Sequence, residues 1–210
     1  MGVLRFQIEP SSLIPSGQVQ GAYITGVDGR VHVTRAEVRD GVLNLYRQSS
    51  ESGTSHIPVT LPNRGQVVLT TTSLPERERP YHLGVELLRG TLGETRDQAC
   101  LWEQVRMVIP PQFQATQRQS FHHFAHACSG QCDLPSCNAA FLEGIQGALD
   151  AADLLLNAYV EQRKAGTRSQ PVPTLLGCTI DANALRAKNA FSSAFGSARI
   201  PIEWRWIEPT

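Results

Sequence analysis

At Thr72 the spacing of apolar residues changes, and that change restricts what this chain can fold into. Before it, short runs alternate apolar with polar residues, as a strand does when one face is buried. VLRFQI, QVQGAYIT, RVHVT, VLNLY, HIPVTL and QVVLTT are the runs. After it, apolar residues recur at intervals of three and four, the repeat of a helix with one buried stripe. The pattern predicts an α+β protein: an antiparallel β-sandwich-like domain over residues 1–72, a helical segment over 73–170, and a third section over 171–210.

In the first section, Asp28-Gly29 and Asp40-Gly41 stand between runs and read as type I′ hairpin turns. Pro10, Pro15, Pro58 and Pro62 lie near the ends of runs, where a missing backbone donor is tolerated. The connections are too short for crossovers, so every pairing is expected to be antiparallel.

Ser73-Leu74-Pro75-Glu76 has the form of a capping box, but Pro80 would fall inside that helix, which places the expected start at Pro80. From there Leu88, Leu92, Thr95, Ala99, Trp102 and Arg106 form one stripe of a helix reaching Met107. Gly84, Gly90 and Gly93 each cost it about 1 kcal/mol relative to alanine, so packing must hold it. Pro110-Pro111 ends it. A second helix is expected over Gln114–Ala127 and a third over Asn138–Ala165, where Phe141, Ile145, Ala148, Ala152, Leu155 and Tyr159 repeat at helical spacing. Gly166, Pro171 and Pro173 then mark a boundary.

The last section changes character again. TLLGCTI lacks polar alternation and reads as a strand buried on both faces. Asp181 is the expected N-cap of a helix over ANALRAKNAFSSAF, and Gly196 its stop. ARIPIEWRW follows as a second strand with Ile200, Ile202, Trp204 and Trp206 turned inward. Strand, helix, strand is a βαβ unit, and two parallel strands do not stand alone. A (β/α)8 barrel takes about 250 residues, so this unit is expected to open a barrel that the chain does not complete.

Composition narrows the function classes. Apolar residues make up 41% of the 210 and charged ones 18%, which favours a packed core over disorder. Lys plus Arg equals Asp plus Glu at 19 each, and no segment interleaves basic with aromatic residues, so no nucleic-acid partner is expected. No apolar run approaches the length of a membrane span, and MGVLRFQIEP is not a signal peptide, so no membrane partner is expected and the default location is the cytoplasm.

His122, His123, His126, Cys128, Cys132 and Cys137 form the densest reactive cluster. Its C-x3-C-x4-C spacing is not that of a zinc ribbon or iron–sulfur run, so the favoured reading is a helix end and polar loop, with no metal and no cofactor. Cys100 and Cys178 read as small core residues. Glu203 and Glu208 read as solvated or salt-bridged positions at a strand end. No G-x-S-x-G, P-loop or G-x-G-x-x-G motif occurs.

WRWIEPT, with the strand before it, resembles the second barrel strand of glycoside hydrolase family 10, the endo-1,4-β-xylanases and their relatives. Trp204 and Glu208-Pro209 match that family's pattern, and LLGCTI with its following helix matches the family's first strand and helix. Arg199, Ile200, Ile202 and Glu203 stand where typical xylanases carry a Glu-Asn pair and a Met-Lys dipeptide. The resemblance covers about residues 174–210. It implies hydrolysis of glycosidic bonds in a polysaccharide or oligosaccharide, with Glu203, Trp204 and Arg205 as substrate contacts. The family's acid/base and nucleophile come from later strands, so no catalytic residue is assigned and the chain alone is expected to be inactive. The alternative is a non-enzymatic carbohydrate-binding or structural domain.

Overall fold

The computed structural model describes residues 2–14, 18–130, 133–167, 175–180, 193–202 and 208. The protein is mixed α+β and divides into two compact units, Met1–Arg163 and Lys164–Thr210.

Among its described residues the first unit holds eight strands: β1 (Gly2–Gln7), β2 (Tyr23–Gly26), β3 (Val31–His32), β4 (Arg35–Arg39), β5 (Val42–Arg47), β6 (Gly53–Leu61), β7 (Gly65–Leu74) and β8 (Tyr81–His82). They form two four-stranded sheets, ordered β4-β5-β1-β8 and β3-β2-β6-β7. The alternation in β1 acts as read: Leu4 and Phe6 are fully buried while Val3, Arg5 and Gln7 are partly exposed.

The two Asp-Gly turns differ. At Asp40-Gly41 both residues have positive φ, 51° and 75°, and Arg39 pairs directly with Val42, as a type I′ turn requires. At Asp28-Gly29 only Gly29 is positive, so the expected type I′ turn is absent. Instead the Arg30 amide donates to the Asp28 carboxylate at 3.0 Å, and the loop is longer. Gln18–Gly21 is a 3-10 turn rather than the start of a strand. β4, whose only apolar residues are Ala36 and Val38, gave too weak an alternation to be read.

The strands of the first section pair antiparallel throughout, as expected, and the one parallel pairing among the described residues of this unit brings in β8 from beyond that section. β1 and β8 are parallel, Phe6 opposite Tyr81 and Gln7 opposite His82, because the crossover is made by residues 8–80 rather than by any single loop. Their place in the sheet delays the first helix, α1 (Leu83–Gln104), past Pro80. His82 caps it: its Nδ1 accepts from the Val85 amide at 3.5 Å. The helix stops short of Met107 through a Schellman turn, in which the Met107 amide donates to Trp102 O at 3.0 Å and the Arg106 amide to Glu103 O at 2.9 Å.

Helices α2 (Pro111–Ser129) and α3 (Leu134–Thr167) both extend beyond the expected bounds, α2 starting on a proline at its first turn. Leu4, Phe6, Leu43 and Ile57 share one core with Leu83, Leu87, Phe141 and Ile145, so the strands and helices of residues 1–163 stabilise each other. Each fully buried leucine or phenylalanine contributes about 1.5–3 kcal/mol. Two of the helix glycines allow close approach. A Cβ at Gly90 would lie 1.9 Å from Thr70 O, and one at Gly84 would lie 2.9 Å from the Phe141 ring.

Cys100 is exposed and Cys178 only partly buried, which corrects the reading of both as core residues. Cys100 sits one step around the helix from buried Ala99, on the face that α1 turns to water.

In the second unit β9 (Gly177–Thr179) and β10 (Ser197–Arg199) are parallel, with Gly177 opposite Ser197, Cys178 opposite Ala198 and Thr179 opposite Arg199. Leu175 and Leu176 are 77% and 63% exposed and Ile200 and Ile202 each 65%, so the expected burial on both faces is not found. Among the described residues the two three-residue strands pair only with each other and supply no covering layer. Residues 181–192, including Asp181 and most of the expected helix, lie outside the described residues, as do 203–206 of the expected second strand.

Candidate functional site

The sugar contacts assigned to Glu203, Trp204 and Arg205 lie outside the described residues, and Cys132 does too. Glu208 is exposed. What the structure does assemble is a set of polar side chains around the junction of α1, α2 and α3.

The histidines of α2 separate by helical face. His122 and His126 are exposed, whereas His123 turns toward α3 and its Nδ1 lies 3.2 Å from the Glu143 carboxylate. Among the described residues no three His, Cys, Asp or Glu side chains are placed to share a metal ion. The pair at His123 lines a groove of about 640 Å³ between the β6–β7 turn and helices α2 and α3. Asn63, Thr116, Gln119 and Asp150 add polar groups. Arg64, on that turn, holds Asp150 at 2.5 Å and Asp153 at 2.6 Å. Ser120 also lines the groove, but its hydroxyl donates to Thr116 O at 3.0 Å, and a Cβ at Gly147 would lie 2.5 Å from it. The hydroxyl is therefore wedged between the helices and is not presented to His123.

Cys137 is fully buried beside Val85, Ala127 and Ala140, with Cys128 packed against the same cluster. Its sulfur lies 3.6 Å from Nε2 of buried His82 and 3.3 Å from Ala127 O. Burial pushes the Cys137 thiol up, aided by Cys128 and Asp133, and burial pushes the His82 imidazole down. Both shifts favour the uncharged pair. A nucleophilic cysteine needs the opposite, a thiolate beside an imidazolium. The Cys128 thiol is also raised by burial, with Arg89 acting against the shift.

One turn further along α1, Glu86 is buried and its Oε2 lies 3.2 Å from Arg89 Nη1, without the alignment of a hydrogen bond. Burial raises its carboxyl above the usual range, and Arg89 and Arg77 offset part of that. The His82–Cys137 contact joins residues 55 positions apart. No local pattern announces it: the cysteine belonged to a recognisable cluster, but the histidine lay beyond it at a strand end.

Comparison with protein-family models, with curated proteins and with solved structures finds no match to this chain.

Proposed function

We propose that residues 171–210 contribute the first βαβ unit of a family 10-like glycoside hydrolase barrel acting on a polysaccharide such as xylan. Residues 1–163, read as a β-sandwich-like and helical module, would then support or extend that barrel. The observation that carries this reading is the parallel register of Gly177–Thr179 with Ser197–Arg199, directly before Trp204 and Glu208-Pro209. Parallel neighbours need a crossover, here residues 180–196, and a (β/α)8 barrel is built from such units. The exposure of Leu175, Leu176, Ile200 and Ile202 suits strands whose faces further barrel strands and helices would cover.

In this reading Glu203, Trp204 and Arg205 touch the sugar, and the two catalytic carboxylates come from other strands. A sugar-binding role for the β-rich portion alone has less support. Phe6 is fully buried and Tyr23 stacks on His56 at 4.4 Å, so neither ring is offered as an open platform.

The coding sequence after Thr210 provides the test. Further βα units with a glutamate after the fourth and seventh strands are expected, and the protein carrying them should release reducing ends from xylan. Glu→Gln at either of those two positions should abolish the release. A stop codon before a third strand would overturn the proposal.

A further inference from the structure

Helices α1 and α2, with Thr72 of β7, line a cleft of about 550 Å³, within the range of about 300–1,000 Å³ typical of small-molecule sites. Its apolar wall is made by Leu92 of α1 and by Phe113, Phe121 and Phe124 of α2. Leu92 and Phe113 are buried, but Phe121 is 56% exposed.

Two features of the lining are unexplained by the packing of the chain itself. Gly93 carries the helix penalty of glycine, yet a Cβ there would meet nothing within 4 Å, so no neighbouring element demands the small residue. Gly84 and Gly90, on the same helix, are both required by close neighbours. In addition, Gln117 donates through Nε2 to Leu92 O at 3.0 Å while its buried Oε1 has no partner. That oxygen is closed off from the open cleft, so it marks incomplete polar pairing beneath the lining and not a contact offered to a ligand.

The charge is one-sided. Arg89, Arg96 and Arg118 rim the cleft and no carboxylate lines it. Arg89 is offset from outside by Glu86, and Arg96 by Asp97 at 2.9 Å. Arg118 has no ionic partner among the described residues. Arg89 also lies over the Phe124 ring, 5.7 Å from its centre.

We propose that the α1–α2 cleft is a binding site for a small aromatic carboxylate. The ring lies on Phe121 and Phe124, whose own ring centres are 5.9 Å apart, over the open space above Gly93, and the carboxylate meets Arg118 and Arg96. The floor supplies apolar contact area and the rim supplies the charge preference.

The probe is 2-naphthoate, titrated into the full chain by calorimetry, with 2-naphthalenemethanol as the neutral control. Saturable binding with a dissociation constant on the order of 0.1–1 mM is expected, at least about fivefold tighter than for the alcohol. Arg118→Glu, at an exposed site, should weaken naphthoate by about tenfold. Gly93→Leu fills the floor and should abolish binding while the melting temperature holds or rises, which separates a blocked site from an unfolded one. Equal affinity for acid and alcohol, an Arg118→Glu effect under twofold, binding that survives Gly93→Leu, or no naphthoate binding would each overturn the proposal.

Discussion

The Nε2 of His82 lies 3.6 Å from the sulfur of Cys137, joining the start of α1 to the first turn of α3. The ring's other nitrogen accepts from the Val85 amide, so Nε2 carries the proton and donates to the sulfur. The thiol in turn donates to Ala127 O. One relay thus caps a helix, satisfies a buried thiol and ties two helices together, all without charge. Its role is to hold the α1–α2–α3 junction, and the chemistry of a cysteine nucleophile is absent from it.

Thiol reactivity should report this arrangement. Iodoacetamide at pH 7.5 is expected to label exposed Cys100 readily and to reach buried Cys137 only when the fold opens, slower by on the order of a thousandfold or more. Site-resolved mass spectrometry of the labelled peptides measures both rates in one sample. Comparable rates at the two sites would contradict the sealed relay.

The melting temperature should fall on acidification. Burial lowers His82, and it lowers His56, so both bind a proton more readily in the unfolded chain. Their contribution is present above the unfolded histidine value of about 6.5 and is lost as pH falls through it toward the folded-state value. Glu86 acts in reverse. Its raised carboxyl lends stability at low pH that is lost as pH climbs from the unfolded value of about 4.3 through the folded one. Melts from pH 7.5 to 5.5 at constant ionic strength should show a decline that His82→Gln makes shallower. Glu86→Gln should raise the melting temperature at pH 7.5. An unchanged slope in the histidine variant would show that His82 takes up its proton equally in the folded and unfolded states.

The glycines of α1 should respond in opposite directions to the same substitution. Gly90→Ala drives a methyl group against the Thr70 carbonyl of β7 and is expected to cost about 3 kcal/mol, because a helix packed on a strand has little room to retreat. Gly93→Ala meets open space and should gain about 0.5–1 kcal/mol from helix propensity and a less disordered unfolded chain. Urea unfolding of the two variants beside the parent protein measures the contrast. Equal effects would mean that α1 does not press on β7.

Period and turn chemistry were legible in the chain because they are local. Leu4 and Phe6 declare their face within six residues, Asp40-Gly41 declares its hairpin within two, and Phe141, Ile145 and Ala148 declare the buried stripe of α3. Contacts that depend on how elements meet were not legible. The parallel pairing of Phe6 with Tyr81 spans most of the β-rich region, and His82 meets Cys137 only after two helices have packed. Gly84, Gly90 and Gly93 look alike in sequence, and only their neighbours tell which are required. The α1–α2 cleft was hidden for the same reason: three phenylalanines and three arginines become a site only when two helices set them face to face.

The end of α1 offers a position where the sequence departs from the best local choice. Arg106 occupies the left-handed site of the Schellman turn with φ 67°, a conformation in which its Cβ crowds the backbone and glycine would not. Its side chain is exposed, so little packing is lost by removing it. Arg106→Gly is therefore expected to stabilise the protein by about 0.5–1 kcal/mol. Arg106→Val should destabilise it by a similar or larger amount, since branching at Cβ worsens the crowding. The midpoints of urea unfolding at unchanged slope give both values. A loss of stability in the glycine variant would mean that the arginine side chain, and not the backbone turn, holds the end of the helix.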